Sequence, residues 1–166
     1  MAFDCFLQIE GIPGESTDDK HKDWIEVLSY SHGLSQRSSG NVSTGGGRSA
    51  ERCDHEDFTV VKALDKASPK LALYCCNGSH IPKITVQLCR AAGDKQKYME
   101  YIMTDVIVSS VWPGGSAENK ETGLPLEQAT FNYGKMEWVY TETDHKTGKP
   151  KGDVKAHWDL AANKGG

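Results

Sequence analysis

The chain has 166 residues, 17 of them glycine, and a formal net charge of −4 at neutral pH. This length suits a single domain that buries a sizeable core. The negative charge, with no basic cluster along the chain, argues against general nucleic-acid binding. No apolar run approaches the length that crosses a bilayer, so we also expect no membrane insertion.

The start of the chain, residues 1–11, lacks a basic region followed by an unbroken apolar stretch. We therefore expect no Sec signal peptide, with synthesis and folding in the cytoplasm. The cysteines are odd in number and lack CxxC spacing, which favours reduced structural thiols over a disulfide framework. They are Cys5, Cys53, Cys75, Cys76 and Cys89.

Short alternating apolar runs predict strands in the first half of the chain, at residues 3–9, 24–30 and 58–64. Residues 11–23 are rich in turn-forming and charged side chains, which predicts a surface loop. Segment 34–57 is poor in apolar residues, and we predict an extended, flexible contact loop there. Its glycine triplet invites a phosphate-loop interpretation, but the GxxxxGK[ST] spacing and the strand-to-helix context are absent.

One helix is predicted after the third strand. Ser68 is a suitable N-cap, Pro69 fits the first helical position, and Asn77-Gly78 supplies a left-handed C-cap. Leu71, Tyr74 and Cys75 share one side, and so short a helix must pack on the sheets to be stable.

Further strands are predicted at residues 84–89, 98–112, 126–144 and 154–160, followed by a loose tail at 161–166. In the third of these, the large apolar side chains change parity at Gly134: Phe131 and Tyr133 precede it, and Met136, Trp138 and Tyr140 follow it. A structural β-bulge at Gly134 would keep one face buried through this change. A strand buried on both faces with an incidental glycine is the alternative.

These elements predict a mainly β fold: a small β-barrel of two antiparallel sheets with one short flanking α-helix, forming a single domain over residues 1–166. We expect seven to nine strands. The tryptophans are expected to supply much of the core, with some left over for interfaces: Trp24, Trp112, Trp138 and Trp158.

No catalytic arrangement stands out. Residues 53–57 hold thiolate, imidazole and carboxylate groups that ligate zinc, but neighbours on an extended chain point in opposite directions. Ser116 follows Gly115 in a turn with no histidine or acid placed beside it. We predict no catalytic residue, no metal and no cofactor, and self-assembly through surfaces is the favoured interpretation. A secreted effector enzyme using residues 53–57 or Ser116, and a monomeric ligand-binding barrel, are the alternatives.

Several stretches together resemble the haemolysin-coregulated protein (Hcp) family, the tube subunit of bacterial type VI secretion systems. The resemblance runs almost end to end and in order, over residues 14–33, 65–83, 98–111, 130–144 and 148–160. It implies hexameric rings that stack into a tube inside a contractile sheath and are exported without a Sec signal. It also implies contacts with a valine-glycine repeat spike protein, with sheath subunits, and with effectors that the ring lumen carries or chaperones.

The resemblance also assigns roles to residues. An extended loop would contact neighbouring rings, through Ser39, Gly40, Asn41, Val42, Ser43, Thr44, Gly45, Gly46, Gly47 and Arg48. Ser31, Gly114, Gly115 and Ser116 would lie near the ring wall and lumen. The chain ends soon after the last predicted strand, as expected for the plain structural form of the family. The Cys75-Cys76 pair departs from the family pattern, and the resemblance gives it no role.

Overall fold

The computed structural model describes residues 2–39, 49–91, 93–117 and 123–166. These residues form eleven strands and one helix. The first six strands are β1 (Phe3–Ile9), β2 (Ile25–Val27), β3 (Ser29–Ser31), β4 (Leu34–Ser39), β5 (Ser49–His55) and β6 (Phe58–Ala63). Helix α1 (Ser68–Asn77) comes next, and then β7 (His80–Arg90), β8 (Lys97–Gly114), β9 (Leu126–Thr143), β10 (Pro150–Asp159) and β11 (Lys164–Gly165).

Nine of these strands form one antiparallel sheet, in the order β11–β10–β9–β8–β7–β1–β2, with β6 beside β9 and β3 beside β6. Strand β9 pairs with β8 along one edge, while its other edge pairs with β6 in its first half and with β10 in its second. Only Leu28 separates β2 from β3, so the chain itself joins the two ends of the path β2–β1–β7–β8–β9–β6–β3. The predicted class, mainly β with two sheets and one helix, is confirmed. The second sheet is the ribbon β4–β5.

The core consists of aliphatic side chains and phenylalanines from the inward positions of the sheet. Phe58, Phe131, Met103 and Met136 are fully buried. The predicted tryptophan core is wrong: the four indoles are half-buried or exposed, and Trp112 is 70% exposed. Trp112 lies at an outward position opposite Gln128, and Trp138 packs against the core without being fully buried.

The parity change at Gly134 is real, since Tyr133 and Met136 are both buried. The predicted bulge at Gly134 is nevertheless wrong. The register of β9 with β8 continues across Gly134 with one residue opposite one, and the shift lies between Val108 and Ser110. Asp105 lies opposite Gly134 and has a φ of 53°. At this pair of residues, both strands change which alternate side chains point into the core.

Gly134 is needed because of its neighbour on β8. A Cβ at Gly134 would lie 3.2 Å from a carboxylate oxygen of Asp105 and 3.3 Å from its Cβ. We expect Gly134→Val to lower the free energy of unfolding by about 1–3 kcal/mol in chemical denaturation, because Asp105 must move. Gly152→Val is the control, because a Cβ at Gly152 meets nothing within 4 Å. Equal losses in the two variants would contradict this steric explanation.

Helix α1 begins one residue earlier than predicted. Ala67 is the N-cap, and no side chain caps the helix. The hydroxyl of Ser68 instead accepts the Asp65 N–H at 3.1 Å. The predicted C-cap is confirmed, since Gly78 has φ of 64° and its N–H donates to the Tyr74 carbonyl. In the described part of the chain, no helix has both the length and the apolar character needed to span a membrane.

Two segments expected to lack regular structure contain strands. Segment 34–57 holds the ribbon β4–β5, whose side chains are almost all polar, so no apolar parity marked it in the sequence. The tail is also paired: β11 lies beside the end of β10, and Gly166 and His157 exchange backbone hydrogen bonds. Residues 40–48, assigned by resemblance to inter-ring contact, lie outside the described residues; the backbone of Ser39 ends β4.

Candidate assembly surfaces

The outward side of strands β3, β6, β9 and β8 forms one uncharged surface, which we call the outer face. Strand β6 alternates buried side chains with partly exposed ones, and the register carries that alternation across its neighbours. Ser31, Thr59, Thr130 and Ser110 thus lie in one row across four strands. The outer face comprises Ser29, Ser31, Thr59, Val61, Ala63, Ser110, Trp112, Gly114, Leu126, Gln128 and Thr130.

The outer face contains the residues assigned by resemblance to the ring wall or lumen. Ser31 and Gly114 both lie on it, three strands apart and four rungs apart along the strands. Gly115 and Ser116 follow directly and are exposed. The outer face offers hydroxyl and amide groups and the Trp112 indole, and the Asp57 carboxylate lies at its edge, bonded to Ser109 beside Thr130. Such a surface suits contact with protein through packing and neutral hydrogen bonds.

A second exposed apolar region lies at the other end of the β8–β9 pair. A groove there is lined by the apolar or aromatic side chains of Phe3, Tyr98, Tyr140 and Val154 and by the polar side chains of Arg90, Glu142, Asp144 and His145. Fourteen residues of β8 separate Tyr98 from Trp112, which corresponds to roughly 45 Å along an extended strand. The chain therefore presents two chemically different surfaces far apart.

The root of the ribbon is attached to the main sheet by a bridge of two histidines and a tyrosine. His32 comes just before β4, and His55 is the last residue of β5. The hydroxyl of Tyr133, on β9, lies 2.6 Å from His32 Nε2 and 2.9 Å from His55 Nδ1. Burial lowers the pKa of both histidines, and the neighbouring His55 lowers that of His32 further. We call these three residues the root bridge.

A buried ion pair joins β6 and β9 beneath the outer face. Lys62 Nζ lies 2.8 Å from Glu127 Oε2, its partner across the strands, and 2.8 Å from Asp65 Oδ1. Lys62 also donates to the hydroxyl of Ser68, which in turn donates to Glu127 at 2.7 Å. The pair thus ties the start of α1 to the strands that carry the outer face.

A third polar cluster resembles a nucleophilic site but cannot act as one. His21 Nδ1 lies 2.8 Å from Asp18 Oδ1, and Cys89 Sγ lies 3.8 Å from His21 Nε2. Cys89 is fully buried, and burial raises the pKa of its thiol to about 11. The thiol therefore stays protonated at neutral pH and is closed to a substrate, so the cluster is structural.

The residues considered for metal binding are not gathered into a site. Across residues 2–39, 49–91, 93–117 and 123–166, no group of three or more His, Cys, Asp and Glu side chains is placed to hold a metal ion. All five cysteines are free thiols, in agreement with the expectation of reduced cysteines.

Sequence reasoning missed the root bridge and the ion pair. The ion pair left a signal: Lys62 shares the parity of Phe58 and Val60, and Glu127 shares that of Phe131. Opposite charges at inward positions of two strands indicate a buried pair. The root bridge left none, because His32 and His55 are each separated from Tyr133 by at least 78 residues.

The described residues form an almost entirely β protein with one short helix. Its exposed features are faces suited to contact with other proteins. The family described as "Type VI secretion system effector, Hcp" matches residues 6–140. Protein hcp1 of Pseudomonas aeruginosa is 34% identical over 165 residues, which cover 98% of each chain.

Solved structures agree with this match. One titled "Structure of a type six secretion system protein" has a TM-score of 0.92 and 34% identity, covering 99% of this chain and 100% of the other. Hcp1 from Salmonella typhimurium has a TM-score of 0.78 and 34% identity, covering 99% of each chain. The chain belongs to the Hcp family of type VI secretion proteins. Family membership confirms the interpretation as a non-enzymatic secretion protein.

Proposed function

We propose that this chain is the structural subunit of a type VI secretion inner tube, which forms hexameric rings that stack and are exported. The single observation that carries the proposal is the near full-length match to Hcp proteins, in sequence and in fold. The groove lined by Phe3, Tyr98, Tyr140 and Val154 supports it as a candidate contact between neighbouring subunits, because a closed ring buries complementary surfaces of each subunit.

The outer face is our candidate for the lumen wall. It contains Ser31 and Gly114, and its own side chains are uncharged, with the single Asp57 carboxylate at its edge. A neutral lining of small and hydroxyl side chains would tolerate diverse effector proteins, which fits a carrier or chaperone. The tube would meet a valine-glycine repeat spike protein at its tip and contractile sheath subunits around it. Synthesis in the cytoplasm and export by this machine, without a Sec signal, complete the proposal.

Analytical ultracentrifugation and negative-stain imaging of the purified chain test ring formation. We expect a hexamer mass and ring-shaped particles. A single-subunit mass at every concentration would overturn the proposal and favour a monomeric binding protein. Hydrolytic activity of the purified chain would favour a secreted effector enzyme.

The loop between β4 and β5 is our candidate for contact between rings. Deleting residues 39–47 should leave hexamers intact in analytical ultracentrifugation but abolish ring stacking and secretion. The reason is that a polar, glycine-rich segment contributes weak contacts that matter only when rings meet. A matched variant with the same segment replaced by glycine and serine separates loss of length from loss of side chains. Monomers in the deletion variant would contradict this division of roles.

A further inference from the structure

The root bridge has a hydrogen-bonding arrangement that depends on the charge of its histidines. A tyrosine hydroxyl has one hydrogen to donate and two lone pairs to accept with. Between two neutral imidazoles it donates to one nitrogen and accepts from the N–H of the other. The distances of 2.6 Å and 2.9 Å from the Tyr133 oxygen fit this neutral arrangement.

Protonation removes that fit. Once both histidines are charged, both ring nitrogens carry a hydrogen, so the Tyr133 hydroxyl hydrogen loses its imidazole acceptor. Two positive charges then face one oxygen of a residue that is 4% exposed. Charges held this close in a partly buried site repel strongly and are poorly solvated.

The groups around the bridge act in both directions, and burial against aromatic rings outweighs the nearby carboxylate at His32. His32 packs against the rings of Phe58 and Tyr101, at centroid distances of 5.6 Å and 6.3 Å. Glu56 favours the charged form of His32, but its effect is smaller than those of burial and of His55. Cys53 and Asp57 also lie near the Tyr133 hydroxyl.

The bridge stands at the joint where the ribbon leaves the main sheet. Leu34 pairs with His55 at the first rung of the ribbon, and the Glu56 N–H donates to the Gly33 carbonyl at 2.9 Å. Asp57, the next residue toward β6, accepts hydrogen bonds from Ser109 and Asn132. Loss of the bridge therefore removes the side-chain contacts of the joint with β9 and leaves its ribbon side held by its backbone hydrogen bonds alone.

We propose that the His32–Tyr133–His55 bridge is a proton-sensitive latch that holds the ribbon against β9 at neutral pH and releases it in mild acid. Because the latched state lowers the pKa of both histidines, the unlatched state binds protons more tightly. The latch is fully effective at pH values above the ordinary histidine pKa of 6.5, and it weakens as the pH falls below that pKa. If the ribbon contacts a neighbouring ring, which rests on the proposed function, acid would also loosen stacking.

Hydrogen exchange of the purified full chain, corrected for intrinsic exchange rates, tests the latch directly. We expect backbone protection in residues 34–38 and 50–55 to fall several-fold between pH 7.5 and pH 5.0, while residues 84–88 of β7 keep theirs. The double variant His32→Asn with His55→Asn should lose this pH response. His145→Asn, in an exposed turn, should keep it. An unchanged ribbon in the wild type, or a full response in the double variant, would overturn the proposal.

A second measurement does not depend on the variants folding. The imidazole resonances of His32 and His55 in the wild-type chain should titrate with midpoints below 6.5 in NMR spectra. Midpoints at or above that value would refute the latch. Neither measurement requires rings or secretion, so a failure of the proposed function would leave both results interpretable.

Discussion

Replacing Lys62 by methionine should lower the free energy of unfolding by about 3–5 kcal/mol in chemical denaturation. Lys62 is completely buried, and its ammonium group neutralises Glu127, whose side chain is also buried. Methionine fills a similar volume but leaves the Glu127 carboxylate without its cation in a site that water does not reach. The free-energy cost of an uncompensated buried charge is larger than the free energy gained from packing the methionine side chain.

Two controls separate charge from volume in this result. The double variant Lys62→Met with Glu127→Leu removes both fully buried charges and leaves only the partly exposed Asp65 carboxylate without its cation, so we expect it to recover part of the loss. Lys151→Met breaks an exposed ion pair with Glu142 at 3.7 Å, and we expect a change within about 0.5 kcal/mol. A Lys62→Met loss no larger than that of Lys151→Met would show that the buried pair contributes no stability.

The sequence was informative wherever side chains alternate between the core and solvent. Strand β1, strand β6 and the C-cap at Gly78 were predicted correctly because their patterns follow local rules. The ribbon β4–β5 was missed because it has solvent on both sides, so no apolar parity distinguishes it from a loop. The tail was missed because β11 depends on a close approach of Gly165 to the His157 carbonyl.

The change in side-chain parity at Gly134 shows that the pattern within one strand does not predict what a neighbouring strand imposes on it. The parity of β9 correctly predicted an irregularity, but its form is set by Asp105 on the neighbouring strand. The same limit applies to the candidate surfaces. Ser31 and Gly114 share the outer face only through the registers of three successive strand pairs. A single sequence does not show strand register between distant segments, so only resemblance to a family could place these residues together.

Replacing His21 by alanine should lower the free energy of unfolding at neutral pH by about 2–4 kcal/mol. Its imidazole stacks on Phe6 at a centroid distance of 4.1 Å. Nδ1 faces the Asp18 carboxylate, and Nε2 lies 2.7 Å from Gln87 Oε1. Through these two contacts His21 links the loop before β2 to β7. The variant leaves a cavity and removes one partner each from the Asp18 carboxylate, which keeps Lys95, and from the Gln87 amide, which keeps Glu100.

The same substitution should change how stability depends on acid. The hydrogen bond from His21 is the largest cause that lowers the pKa of Asp18 from 3.8 to about 2. A carboxyl group whose pKa is lowered in the folded state stabilises the protein at pH values above its ordinary pKa. That contribution is lost as the pH falls toward 2. Thermal unfolding between pH 4 and pH 2 should therefore show a weaker decline in His21→Ala than in the wild type. His145→Ala, in an exposed turn, should follow the wild type, and identical declines in all three proteins would contradict the role assigned to His21.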